Sequence, residues 1–353
     1  SVDRAREGQI AEIILAETPL YAEGGGQSAD KGLIVRAGFE LEVLDVQKPV
    51  PGLFSHMVQV VAGEVGVDAP ATTVVDASNR RGATQAHSGT HIVHAAIHQV
   101  LGKSAHQSGS FNKAGYLRLD FTWSEALSAE TRGEIEEISN NAIRDNLEVT
   151  TRILPIAEAK SLGAMALFGE KYGDTVRMVD IGGPWSRELC AGTHVSSSAE
   201  IGLISVVGEQ SVGASNRRIE SLVGIEAFRE LAAERAIVST LSSSLKTPRE
   251  QLPQRIAELT ANLRAAEKKI ASFEARALLE RVPALAASAS RAGGVAFVSD
   301  ELGALGSPDD LRSLVLGVRD KLGAGPAVVA LGAIVGERPV VIVATNDGAR
   351  GLG

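Results

Sequence analysis

The apolar and polar positions change period several times along the chain. Short apolar-rich runs at residues 9–15, 32–35, 41–46 and 57–61 are separated by turn residues such as Val50-Pro51-Gly52, which is the pattern of successive strands. That spacing predicts a small β-barrel-like subdomain over residues 1–75, interrupted by the loop Glu23-Gly24-Gly25-Gly26-Gln27. From residue 83 to 101 the period is helical: Ile92, Ala95, Ala96 and Val100 make one stripe, and Gly102 is a natural stop. A strand is predicted over 116–121 and a polar helix over 124–146, with Ile135, Ile138 and Ala142 facing inward. Strand and helix alternate to residue 223 without repeated βαβ units, so residues 76–223 read as an α+β domain.

At residue 224 the turn residues thin out and Ala, Glu, Arg and Leu dominate up to about residue 282. Leu252, Ile256, Leu259, Leu263, Ala266, Ile270, Phe273 and Ala277 alternate in steps of four and three, the seam of a coiled coil. Thr247 with Glu250 fits a capping box and Pro248 a first helical position. Residues 224–288 are therefore expected to form an antiparallel helical hairpin. Buried strands at 295–298, 327–331 and 339–344, with a helix over 308–322, predict a small, partial α/β module over 289–353. The fold class expected for the whole chain is α+β.

Composition narrows the function. The chain has 353 residues, enough for two to four domains at roughly 100–200 residues each. Its net charge of −8 argues against indiscriminate nucleic-acid binding and against DNA as a partner. Two short basic patches remain, Asn79-Arg80-Arg81 and Asn216-Arg217-Arg218. No run of about 18 apolar residues offers a membrane span. The single cysteine, Cys190, permits no intramolecular disulfide and fits a reducing, cytoplasmic setting. The chain starts Ser1-Val2-Asp3, without methionine, and stops at Gly351-Leu352-Gly353; both ends read as cuts in a longer protein.

Four of the seven histidines, His87, His91, His94 and His98, stand at helical spacing on one face. Residues four apart can share a metal, but eleven residues of helix span roughly 16 Å, so one ion cannot reach all four. His87/His91 and His94/His98 are both His-x3-His pairs, and spacing alone does not choose between them. A second half-site lies in Glu188-Leu189-Cys190-Ala191-Gly192-Thr193-His194. Cysteine and histidine together suit zinc. A metalloprotease of the zincin type is excluded, because Ser88 stands where the general-base glutamate would be needed. A nucleophilic Cys190 served by His194 is a competing reading; a thiolate ligand completing the His-x3-His pair is the more economical one.

These residues carry a family resemblance. His87-Ser88-Gly89-Thr90-His91 resembles the H-S-x-T-H motif of the alanyl-tRNA synthetase editing domain, and residues 188–194 resemble that family's E-L-C-G-G-T-H. Tyr21-Ala22-Glu23-Gly24-Gly25-Gly26-Gln27 is similar to its glycine-rich loop, Gln107-Ser108-Gly109-Ser110 to its Q-x-G-S element, and Arg217-Arg218-Ile219-Glu220 to its R-R-I-E segment. The resemblance covers essentially the whole chain and implies hydrolysis of mischarged seryl- or glycyl-tRNA(Ala), the second sieve needed where a pocket discriminates weakly. It implies one zinc per chain on His87, His91, Cys190 and His194, with His94 and His98 as packing or surface residues. It implies Gln107 and Cys190 as catalytic residues, with Gln107 reading the serine hydroxyl. Gly24, Gly25, Gly26, Gln27 and Thr90 would line the substrate, and Arg81 would contact phosphate. ATP and magnesium would belong only to the family's N-terminal aminoacylation domain, which is read as absent here. The implied partners are tRNA(Ala) and a second copy of the chain through the C-terminal region. One departure is Ala191, at the family's first glycine after cysteine. The competing readings are a free-standing trans-editing deacylase and a non-catalytic tRNA-binding or dimerisation fragment with a structural zinc.

Overall fold

The structure is a computed structural model that describes residues 3–166 and 172–350; Ser1, Val2 and residues 351–353, the chain ends weighed above, lie outside it. The chain divides into two compact units, Ser1–Ala236 and Ile237–Gly353.

The first unit opens with β1 (Arg4–Arg6), β2 (Ile10–Ile14), β3 (Gly32–Arg36), β4 (Phe39–Val50), β5 (Leu53–Gly66) and β6 (Thr72–Val75). β4 and β5 form a long hairpin around Pro51-Gly52; β3 and then β6 extend it on one side, while β1 and β2 both pair with β5 on the other. Every pairing is antiparallel. The expected barrel does not close: among the described residues β6 pairs only with β3, and β1 and β2 only with β5. Alternation reveals which face of a strand is buried, as for Leu41, Val43, Val58 and Val60, but not which edges meet.

Asp76 then starts α1 (Ala77–Leu101) by accepting from Ser78 N and Asn79 N. The helix begins six residues before the expected start at residue 83, because a cap rather than burial defines its first turn. Next come β7 (Gln107–Lys113), β8 (Tyr116–Thr122) and α2 (Ala129–Arg144), whose N-cap is Ser128. β9 (Val149–Pro155), α3 (Ile156–Ser161), β10 (Thr175–Ile181) and β11 (Ser186–Leu189) follow, then β12 (Ile204–Ser211) and β13 (Asn216–Val223). One sheet has the order β12-β13-β8-β7 and a second β11-β10-β9. Ile92, Val93, Ala96 and Ile97 of α1 share a core with Leu117, Leu119 and Phe121 of β8, Ile135 of α2 and Ile219 of β13. The second sheet closes a separate small core around Leu154, Met178 and Leu189. Mixed antiparallel sheets with helices agree with the α+β expectation.

Helix α4 (Ile225–Leu245) follows, then α5 (Leu252–Leu279), α6 (Val282–Ala287), β14 (Ser290–Ala292), β15 (Val295–Ala304), α7 (Pro308–Lys321), β16 (Ala327–Val335), β17 (Arg338–Thr345) and α8 (Asp347–Arg350). The seam expected to be buried along α5 is exposed. Leu259, Leu263, Ile270 and Phe273 are exposed, Phe273 at 67%. The capping box is also missing: Thr247 Oγ1 bonds to Leu245 O, and α5 starts at Leu252 without a side-chain cap. A heptad seam states that a helix has an apolar side, and any partner can cover it. The terminal module orders its sheet β14-β15-β16-β17, with β15 and β16 parallel and α7 between them in sequence. Leu311, Leu314, Val315 and Val318 of α7 pack on Val298, Val329 and Leu331. Among the described residues no helix is long and apolar enough to cross a membrane.

Candidate metal centre

Helix α1 carries His87 and His91 one turn apart on its buried side, their rings stacked with centroids 5.3 Å apart. The chain leaving β11 brings Cys190 and His194 over them. That exit loop is held by Arg177 of β10, whose Nη1 donates to Cys190 O and Gly192 O at 2.9 and 2.8 Å. The ligand atoms of His87, His91, Cys190 and His194 all lie within 4.8 Å of one another. His87 Nε2 and His194 Nε2 are 3.3 and 3.4 Å from Cys190 Sγ. With Zn–N near 2.0 Å and Zn–S near 2.3 Å, the edge of a tetrahedron is about 3.5 Å, so both separations suit a shared zinc.

Each imidazole is held from behind by its Nδ1. Gln27 Oε1 accepts the Thr193 backbone N–H at 2.9 Å, which fixes the orientation of the amide; His87 Nδ1, 2.8 Å away, must then be the donor. Gln27 Nε2 in turn donates to Thr193 Oγ1. His91 Nδ1 lies 2.9 Å from Glu188 Oε2, and His194 Nδ1 3.2 Å from Ser88 Oγ. Nε2 of each ring is thereby left facing the sulfur. His91 Nε2 is buried and has no hydrogen-bond partner. An orphaned acceptor aimed into a cysteine–histidine cluster is what a metal ligand looks like without its ion, so the residues fit zinc.

The electrostatics agree. Burial opposes ionisation of Cys190, but the nearby His87 and the hydrogen bonds from His194 and His87 outweigh it and bring the thiol well below its ordinary range, which favours the thiolate. Burial lowers His194 to about 3, leaving a neutral, ligating imidazole. His91 is the exception: burial opposes its charge, yet Glu188 and Cys190 together raise it to about 10, so a zinc at Nε2 would have to displace a proton there.

Gly192 shows how tightly the loop sits. A Cβ there would lie 2.0 Å from His87 Cε1 and 2.2 Å from Nδ1. Ala191, where the resembled family has glycine, is exposed and not among the residues with positive φ, so its methyl group meets neither obstacle.

Two family models match parts of the chain. One, threonyl and alanyl tRNA synthetase second additional domain, matches residues 176–220, a stretch that includes Cys190 and His194. The other, tRNA synthetases class II (A), matches residues 1–79, the opening sheet and the first residues of α1. An alanine-tRNA ligase of Leifsonia xyli subsp. xyli is 69% identical over all 353 residues. Those of Paenarthrobacter aurescens and Cutibacterium acnes are 53% and 48% identical, again over the full chain. Over its whole length this chain is similar to alanine-tRNA ligases. It spans about 40% of the length of these relatives. The N-terminal aminoacylation domain is expected to be absent; residues 1–79 nevertheless match a class II (A) tRNA synthetase model.

Within this alanine-tRNA ligase-like chain, the other candidate residues gather around the metal cluster in varying degree. Residues 24–27 make a tight turn closed by Gly24 N to Gln27 O and Gln27 N to Gly24 O. Gly26, at φ +77°, passes so close to Ser110 that a Cβ would sit 2.7 Å from its carbonyl oxygen. Gln107 begins β7; its N–H donates to His94 Nε2 and its side chain to Ser110 Oγ. Thr90 is buried, with its hydroxyl bonded to Asn112 Oδ1 and Ala86 O. Arg81 is exposed. The remaining arginines of the two basic patches are engaged internally: Arg80 with Asp30, Arg217 with Glu209 and Arg218 with Asp120.

Sequence reasoning did not find Glu188 or Ser88 as parts of this centre, weighed His94 only as a rival ligand, and placed Gln27 only on the substrate side. Glu188 and Ser88 stand inside the two motifs, and that adjacency is the one available signal. Their contacts span 97 and 106 residues of chain separation, so only the folded chain reveals them.

Proposed function

We propose that this chain is the editing region of an alanine-tRNA ligase, a zinc-dependent hydrolase of mischarged seryl- or glycyl-tRNA(Ala) working in the cytoplasm. The observation that carries the reading is the convergence of three imidazoles, each held at Nδ1, on one buried thiolate, in a chain that is similar along its whole length to such ligases. His87, His91, Cys190 and His194 would hold the ion, which supplies Lewis-acid polarisation and orientation of the ester or its attacking water. His194 is only partly buried, so it marks the side from which the tRNA terminus approaches. Gln107 reads the serine hydroxyl from the start of β7. The turn Gly24, Gly25, Gly26 and Gln27 forms the adjoining wall, which Thr90 supports from within through Asn112. Arg81, free of the ion pair that engages Arg80, meets backbone phosphate. Self-association uses the exposed seam of α5.

A second reading is favoured by one observation: four protein ligands close a tetrahedral site, as in structural zinc centres. The chain would then be a tRNA-binding module without turnover. The deciding experiment measures zinc content and single-turnover hydrolysis of seryl-tRNA(Ala) by the unmodified chain, Cys190→Ala and His98→Ala. The editing reading expects one zinc and turnover in the first and third, and loss of both in Cys190→Ala with its circular dichroism unchanged. Zinc without turnover in the unmodified chain supports the structural module, and a trapped acyl group on Cys190 overturns the ligand role.

A further inference from the structure

Glu188 is buried in β11, two residues before the cysteine, and each of its oxygens has a histidine nitrogen beside it. Oε2 lies 2.9 Å from His91 Nδ1 and Oε1 lies 3.0 Å from His94 Nδ1. The proton positions follow from the neighbours. The Gln107 backbone N–H can only donate, and it points at His94 Nε2 from 3.2 Å. Nε2 of His94 is therefore an acceptor and its ring proton sits on Nδ1. His91 turns its partnerless Nε2 toward the thiolate cluster; ligation of zinc there would leave its ring proton on Nδ1. Glu188 thus accepts the His94 N–H at Oε1 and presents Oε2, which has no hydrogen bond of its own, to His91 Nδ1 at ion-pair distance.

We propose that Glu188 is a positioning residue, a buried carboxylate that fixes the metal-facing tautomer of His91 and, through His94, anchors the backbone of Gln107. The inference rests on the zinc reading above and extends it to a residue that touches neither the ion nor the substrate. Only a carboxylate offers an acceptor atom to both rings; an amide presents one acceptor and one donor, and its donor would face a ring N–H. Charge gives an independent reason. A divalent cation with one thiolate and three neutral imidazoles carries a net charge of +1, and Glu188 brings the buried cluster to zero, where an uncompensated charge is costly. The chain His91–Glu188–His94–Gln107 also runs from the metal ligand to the residue assigned to the amino-acid pocket, so one group sets the relative placement of both. His94, which spacing leaves as an equal candidate for ligation, is the middle of this chain.

The test uses the full chain loaded with zinc. Long-range proton–nitrogen correlation spectra of the histidine rings are expected to show Nδ1 protonated and Nε2 unprotonated in both His91 and His94. Chelator competition is expected to show zinc affinity falling about 10–100-fold in Glu188→Gln, with a ring of His91 or His94 changing tautomer. An unchanged affinity in folded Glu188→Gln overturns the proposal. So does a proton on Nε2 of His94 in the unmodified protein, a measurement that decides even if the variant does not fold. Unmodified protein that takes up no zinc fails the metal reading itself, a result distinguishable from a zinc protein indifferent to Glu188.

Discussion

Replacing Gly192 by alanine isolates the tightest contact in the metal centre. The added Cβ would lie 2.0 Å from His87 Cε1, whereas ordinary contact begins at 3.4 Å, so the ring must retreat by about 1.4 Å (3.4 minus 2.0) if the loop stays in place. The loop is not free to yield, because Arg177 holds the carbonyls of Cys190 and of Gly192 itself and Thr193 is tied to Gln27. The ring is not free either: Gln27 holds its Nδ1 and Cys190 faces its Nε2. Metal ligation tolerates displacements of about 0.2 Å. A ligand moved by several times that distance is lost, and the expected fall in zinc affinity is at least about 100-fold, more than outer-shell changes produce. Overpacking without metal should cost a further 1–3 kcal/mol or so. Chelator competition measures the first effect and urea unfolding of the metal-free protein the second. Ala191→Gly, one residue away on an exposed position, should change the zinc affinity by less than about twofold. Wild-type zinc affinity in Gly192→Ala would refute the geometry, because it would mean that His87 is not a ligand or that the loop lies elsewhere.

Two further outcomes follow from groups outside the ligand set. Arg80→Ala strands the carboxylate of Asp30, whose side chain is 1% exposed and also accepts from Tyr21 N; breaking a buried pair costs about 3–5 kcal/mol, and the lower end applies because water reaches part of the guanidinium. A shift of less than about 1 kcal/mol in urea unfolding would show that Asp30 finds another partner. His98 is lowered to about 4, chiefly by burial and next by His94. Its folded pKa lies below the unfolded value near 6.5, so the unfolded chain takes up the proton first. The stability that neutral His98 contributes is complete above about pH 6.5 and is lost as pH falls toward 4. His98→Gln should flatten the stability profile over that window relative to the unmodified chain, and parallel profiles would contradict the assignment.

Much of this protein was legible in its sequence, for local reasons. The strands β3, β4, β5, β8, β15, β16 and β17 and the helices α1, α2 and α7 stand where apolar periodicity puts them, because that periodicity is the imprint of one buried face. The chemical character of the centre was also legible, since one cysteine and histidines at metal-ligand spacing suit zinc whatever surrounds them. Short edge strands such as β1 and β6 carried too few apolar positions to register.

Tertiary structure decided the rest. The opening sheet stays open rather than closing into a barrel, because strand edges pair through backbone groups that every sequence shares. The α5 seam stays exposed, because an apolar stripe specifies burial but no partner. Spacing left His87/His91 and His94/His98 equivalent; the fold separates them by directing Cys190 and His194 onto the first pair, a carboxylate and a backbone N–H onto His94, and the Ala105 carbonyl onto His98. Likewise Gln27, Ser88 and Glu188 acquire their parts only when segments 60 to 106 residues apart come within hydrogen-bond distance, which no local pattern encodes.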